Sequence, residues 1–211
     1  MTQPETKHQT ISDRVESNAP AETPLPLPGK ISIVFSVFNE EGSLPLLISG
    51  LREMTARHSG EWEFLFVDDG STDGSALVIS RFRELGIPGG TIRLLRFSRN
   101  FGHEAAMIAG IDHATGDAVI VMDADLQHPL AMIPAMISRH HEGFAIVIMN
   151  RQSNQGNTFT GSVFSSLFYG IINRISSEKL QKNSSAFFLI SGEVAALLRH
   201  DKKNARALFE Q

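Results

Sequence analysis

The stretch Gly116-Asp-Ala-Val-Ile-Val-Met-Asp-Ala-Asp-Leu-Gln-His-Pro129 runs from an apolar segment, Ala118 to Met122, straight into two carboxylates one residue apart. A short β-branched run of this kind reads as a buried strand. Working back toward the N-terminus, the same pattern recurs. Ile31-Ser-Ile-Val-Phe-Ser-Val37 exits into Asn39-Glu-Glu-Gly42, and Leu44, Leu47, Ile48, Leu51 and Met54 follow at helical spacing. Glu63-Phe-Leu-Phe-Val67 leads into Asp68-Asp-Gly-Ser-Thr-Asp73 and a helix to about Leu85. Thr91-Ile-Arg-Leu-Leu-Arg-Phe97 leads into Ser98-Arg-Asn-Phe-Gly102 and a helix to about Ala114. Strands alternating with helices imply crossover connections and an α/β fold with a mainly parallel sheet flanked by helices. Ligands of such sheets bind beyond the carboxyl ends of the strands. Every strand exit here carries polar residues: Asn39 and Glu40, Asp68 and Asp69, Arg99, then Asp123 and Asp125.

Composition narrows the function classes. The 211 residues are 42% hydrophobic with a net charge of −4, enough for one sizeable core and without a global pull toward nucleic acid. Cysteine is absent, so any metal must be held by oxygen or imidazole, and a reducing compartment fits. No apolar run approaches the roughly 20 residues that span a bilayer, and no secretory h-region opens the chain, which reads as soluble or peripheral. Residues 1–29 are polar and end in Pro24-Leu-Pro-Leu-Pro-Gly29, the composition of a flexible tail. The folded domain is expected over 30–198, with a C-terminal tail over 199–211.

In extended chain, residues two apart share a side, so Asp123, Asp125 and Gln127 can face one crevice. Paired carboxylates repel unless a cation or proton lies between them, and Mg²⁺ or Mn²⁺ is the hard partner such oxygens suit. A solvated loop is the plainer reading of an isolated Asp-x-Asp; its place at the end of a buried strand favours the metal. The Asp68–Ser75 segment likewise reads as a turn and helix cap, or as acceptors for a base and ribose. No Gly-x-Gly-x-x-Gly follows the first strand and no P-loop occurs anywhere, which disfavours dehydrogenases and P-loop enzymes.

Val37-Phe-Asn-Glu-Glu41, Phe66-Val-Asp-Asp-Gly-Ser-Thr-Asp73, Ser98-Arg-Asn-Phe-Gly-His-Glu-Ala-Ala106 and Gly116–Pro129, in this order, resemble family 2 glycosyltransferases of the Rossmann-like GT-A fold. The similarity is greatest to the polyprenyl-phosphate glycosyltransferases. It implies that Val37, Asn39, Glu40, Asp68, Asp69, Arg99, Asp123 and Ala124 line a nucleoside diphosphate sugar. It also implies that Asp123, Asp125 and Gln127 surround Mg²⁺ or Mn²⁺, and that Asp125, Gln127 and Arg151 serve catalysis. The implied reaction is inverting transfer of a hexose to a polyprenyl phosphate at the cytoplasmic membrane face. Two rivals stand beside it: transfer to a soluble or glycan hydroxyl, and a non-catalytic nucleotide-sugar module.

The second half departs from the family pattern. Ala186 and Phe188 occupy the places where relatives commonly carry an acid and an arginine, and the membrane helices that commonly follow are absent from this sequence. Between Phe159 and Ile175 a broad apolar face, with Arg174 and Lys179 beyond, reads either as a helix packed on the core or as one lying on a bilayer. His103 reads as the start of a helix and His128 as a loop residue near the acidic pair; neither is given a catalytic role.

Overall fold

Seven strands form one sheet in the order β1-β6-β7-β5-β2-β3-β4. They are β1 (Lys7–Ser12), β2 (Lys30–Val37), β3 (Glu61–Asp68), β4 (Gly90–Arg96), β5 (Ala118–Asp123), β6 (Phe144–Asn150) and β7 (Phe188–Ser191). The helices are α1 (Leu44–Arg57), α2 (Ser75–Leu85), α3 (His103–His113), α4 (Ile133–His141) and α5 (Gly192–Phe209). The computed structural model describes residues 7–12, 29–58, 60–150 and 187–209, with side chains over 29–58, 60–149 and 187–200. Arg151 and the apolar segment 159–175 lie outside the described residues.

Strands β2 to β5 pair in parallel, as the crossovers require. The apolar runs of β2, β3 and β5 are nearly continuous because helices cover both faces, whereas β4, at the sheet edge, is only partly buried and carries Arg93 and Arg96. On one face Phe35, Phe64 and Phe66 pack beneath Leu47 and Leu51 of α1, Phe82 of α2 and Met136 of α4. Phe35 and Phe66 stack at 4.8 Å, and burying each such ring stabilises the fold by about 2 kcal/mol. On the other face Val34, Leu65 and Val121 meet Ala106, Met107 and Ile111 of α3 and Val194 and Leu198 of α5. Helix α3 sits close on β2 because Gly110 has no side chain; a Cβ there would fall 2.1 Å from Val34 Cγ1. Arg199 of α5 ties the two helices together, its guanidinium donating to the carbonyls of Ile111 and Ala114 at the end of α3.

Three features depart from the sequence reading. Residues Lys7–Ser12, expected within a flexible tail, form the edge strand β1, parallel to β6. Without it, β6 would present a row of unpaired N–H and C=O groups, and backbone pairing there asks little of side-chain composition. Helix α5 runs to Phe209, so residues 199–209 continue a helix rather than a tail. Strand β7 is antiparallel to both of its neighbours and stands between β5 and β6. Its Phe188 is 4% exposed and belongs to the α3 and α5 core, while Phe187 packs on the opposite face. Among the described residues no helix is long and apolar enough to cross a membrane.

Candidate functional site

The strand order reverses between β2 and β5: from β2 the chain builds outward through β3 and β4, then returns to the other side of β2 with β5. The loops leaving β2 and β5 diverge there and open a crevice at their carboxyl ends. Three loops wall it.

The loops after β2 and β3 are joined by hydrogen bonds. The N–H groups of Asn39, Glu40 and Glu41 donate to Ser71 Oγ, Ser75 Oγ and Asp73 Oδ2 at 2.9, 2.8 and 3.0 Å. In return Asn39 Oδ1 accepts the Thr72 N–H and Glu41 Oε2 the Gly74 N–H, each at 2.9 Å. Asn39 adopts a positive φ of 56°, an uncommon conformation for a residue other than glycine. Burial pushes the Asp73 carboxyl up, but the Ser75 hydroxyl and N–H and the Glu41 N–H outweigh it and hold the group below the usual range.

Asp68 and Asp69 hold loops rather than face the crevice. Asp68 has no exposed surface; its Oδ1 accepts the Ser71 N–H at 2.8 Å. Arg96 Nε lies 3.1 Å from Oδ2, an ion-pair contact off the line of a hydrogen bond. Asp69 is 1% exposed and accepts the N–H groups of Phe101 and Gly102 at 2.7 and 2.9 Å, pinning the loop after β4. Gly70 completes that contact: at φ +73° it lies against the Arg99 backbone, where a Cβ would come within 2.4 Å. Both Asp69 oxygens are thus taken up by backbone N–H groups, whereas Asp68 Oδ2 has only the ion-pair contact with Arg96 and no hydrogen bond. Val37 and Ala124 are buried too and offer no side-chain surface. Arg99 does stand exposed, its guanidinium 4.9 Å above the Phe101 ring.

At the end of β5 the acidic pair behaves differently. Burial pushes the Asp123 carboxyl up to about 6; His103 opposes this, while Asp125 and Glu40 add to it. Asp123, Asp125 and Glu40 thus share one electrostatic neighbourhood assembled from two strand exits. Asp125 Oδ1 accepts the Gln127 N–H at 3.0 Å, a tight turn that drives Leu126 to a φ of 64° and leaves its side chain 42% exposed. Strain at such a residue costs about 1 kcal/mol.

Two histidines given no role from the sequence flank Asp123. His103 Nε2 lies 3.3 Å from Oδ1, and its Nδ1 is 2.9 Å from Ser36 Oγ on β2. His128 Nε2 lies 3.7 Å from Oδ2, with its ring stacked on Phe187 at 5.1 Å. The sequence held one signal for each: His103 opens a helix directly after a strand exit, and His128 comes five residues after Asp123. Next to His103, burial raises the Glu104 carboxyl and His103 opposes the rise.

The donor set fits a hard divalent cation. Asp123, Asp125 and the Gln127 amide offer oxygens where carboxylate charge is under-compensated. Among the described residues no three His, Cys, Asp or Glu side chains form a cage of their own.

An open α/β sheet with an acidic pair at its strand-order reversal defines the class of fold. The family model for glycosyl transferase family 2 matches residues 32–198, and the chain belongs to that family. It is 38% identical over 165 residues to a prophage bactoprenol glucosyl transferase homolog of Escherichia coli (strain K12), covering 78% of this chain and 53% of that protein. The bactoprenol glucosyl transferase of Shigella phage SfX gives the same identity and coverage. The chain thus spans about half the length of these relatives. Among solved structures, mannosyl-3-phosphoglycerate synthase from Rubrobacter xylanophilus matches with a TM-score of 0.55 at 19% identity, over 78% of this chain and 54% of that one. Glucosyl-3-phosphoglycerate synthase of M. tuberculosis matches at 0.53 and 20%, over 79% and 58%. These two likenesses establish the GT-A fold.

Proposed function

We propose that this chain is the donor-handling domain of an inverting glycosyltransferase that moves a hexose from a nucleoside diphosphate sugar to a polyprenyl phosphate, working peripherally at the cytoplasmic face of a membrane. The observation that carries the reading is the Asp123–Asp125 pair at the switch point, with Asp123 held at about 6 beside Asp125 and Glu40. Such a pair gains most from a ligand that brings positive charge. Asp123, Asp125 and Gln127 would hold Mg²⁺ or Mn²⁺. A bound divalent cation there supplies neutralisation of the charge on a diphosphate leaving group.

The chain's own residues supply the rest. Asn39 and Glu40, fixed by the joined loops, form the wall on which the nucleoside rests, and exposed Arg99 meets the donor phosphates. Arg151 is assigned to the phosphates from sequence similarity. An acceptor phosphate oxygen attacks the anomeric carbon opposite the leaving group; the new C–O bond forms as the bond to the nucleoside diphosphate breaks, and that electron pair departs with the diphosphate. A phosphate's second pKa is near 6, so much of the acceptor is already dianionic at neutral pH and needs little help from a base. The names of the bactoprenol glucosyl transferase relatives support glucose and a polyprenyl phosphate as the first pair to test.

The test is to incubate the chain with UDP-glucose, GDP-mannose or related donors, Mn²⁺ and a short polyprenyl phosphate. Sugar transfer that stops with EDTA is expected. Nucleotide binding without transfer or hydrolysis for any donor would leave a binding module instead.

A further inference from the structure

We infer that His103 is a positioning residue, tethered to Ser36, that fixes the Asp123 carboxylate for the cation; this rests on the reading of Asp123 and Asp125 as the cation-holding pair. Three observations converge on it. First, the two oxygens of Asp123 face different imidazoles from different loops, His103 Nε2 at 3.3 Å from Oδ1 and His128 Nε2 at 3.7 Å from Oδ2. Rotation of the carboxylate breaks both contacts at once. Second, His103 is itself anchored: its Nδ1 lies 2.9 Å from Ser36 Oγ, and Ser36 is the β2 residue in register with Asp123. Third, the anchor bridges the place where β2 and β5 diverge, and His103 is the first residue of α3, whose seat on β2 is set by Gly110 against Val34.

The chemistry follows from the order of the atoms. An imidazole whose Nδ1 accepts the Ser36 hydroxyl carries its proton on Nε2, the nitrogen facing Asp123. His103 Nε2, 3.3 Å from Oδ1 in an ion-pair contact, stands on one side of the carboxylate and leaves its other directions for a cation. The imidazole orients the ligand from behind, held in place by Ser36. Partners of this kind behind a metal ligand typically change metal affinity 10- to 100-fold. Ser36 acts one step further out, by selecting which nitrogen bears the proton.

The deciding experiment measures Mn²⁺ binding to the chain in the presence of UDP or GDP, against a nucleotide-only control, by electron paramagnetic resonance of the free ion, for wild type, His103→Ala, His103→Gln, Ser36→Ala and Asp125→Ala, with melting curves in EDTA as a check on folding. Expected is a loss of about 10-fold or more for His103→Ala, recovery of most of it in His103→Gln, which restores an N–H at similar reach, and a smaller loss for Ser36→Ala. A folded His103→Ala that binds Mn²⁺ like wild type, while Asp125→Ala does not, overturns the positioning role and leaves the cation site standing. Loss in His103→Ala that His103→Gln fails to recover, with Gln folded, also overturns it. A wild-type chain that binds no Mn²⁺ overturns the inference together with the reading on which it rests.

Discussion

On the face of β2 that meets α3, two serines sit four residues apart, and each stands in register with an acid on a neighbouring strand. Ser32 is opposite Glu63 of β3, and Ser36 is opposite Asp123 of β5. The two acids have opposite fates. Glu63, 2% exposed, accepts from Ser32 Oγ at 2.5 Å, from the Thr115 N–H at 2.8 Å and from Arg93 at 3.0 Å, with Lys30 at 3.8 Å. Burial raises its carboxyl, but the Ser32, Thr115 and Arg93 bonds outweigh burial and hold it below the usual range. Asp123 has two imidazoles at longer range and two acids nearby, and is held at about 6. Glu63 closes the amino-terminal end of the sheet as part of the fold. Asp123 is left short of positive charge at the carboxyl ends of the strands, the environment the proposed cation role would use.

The largest expected effect comes from Glu63. Glu63→Ala leaves Arg93, Ser32 and the Thr115 N–H without their buried acceptor and should cost about 3 kcal/mol in denaturant unfolding at pH 7. The sign of its pH dependence follows from a folded pKa below the unfolded one: its contribution is fully present above the unfolded pKa of about 4.5 and is lost as pH falls through the folded value. Glu63→Gln should therefore flatten the acid limb of the stability curve. An unchanged acid limb would mean that the Glu63 carboxyl is not held below its usual range.

Next is the seat between the two acids. Gly110→Ala drives a methyl onto Val34 and should cost about 1–3 kcal/mol, with Val34→Ala in the same chain restoring part of the loss. Asp123→Asn should act in the opposite direction. Its raised folded pKa means that wild type loses stability as pH rises from about 4 to about 6 and carries the full penalty above that. In EDTA at pH 7.5 the variant should gain on the order of 1 kcal/mol, and the gain should vanish by pH 4. A destabilised Asp123→Asn at pH 7.5 would place Asp123 with Glu63. The smallest effect is at the loop: Asp73→Ala removes the acceptor of the Ser75 and Glu41 N–H groups and should cost about 0.5–1 kcal/mol in melting experiments.

How legible each part was follows from where its partners lie in the chain. The runs ending at Val37, Val67 and Met122 announce parallel strands because burial on both faces demands nearly unbroken apolar sequence, and the edge run ending at Phe97 is legible from its alternation with helices. Asp123 and Asp125 could be singled out because strand geometry alone puts residues two apart on one side. The burial of Asp69 could not be read, since the N–H groups it accepts, those of Phe101 and Gly102, arrive from another loop, and the Arg96 guanidinium beside Asp68 comes from the end of β4. His103 escaped for the same reason: Ser36, its anchor, lies 67 residues away. Strand β7 is four residues long and β1 lies in a polar segment, so neither carries a periodic signal strong enough to set it apart from loop.

The most direct test is calorimetric titration of UDP-glucose and GDP-mannose into wild type and Asp125→Ala, each with Mn²⁺ and with EDTA. Expected is donor binding by the wild type that depends on Mn²⁺, and none measurable by the variant under either condition, with the variant's melting temperature equal to or above that of wild type in EDTA. Equal donor affinity for the two chains in Mn²⁺ would contradict the assignment of the acidic pair to the cation.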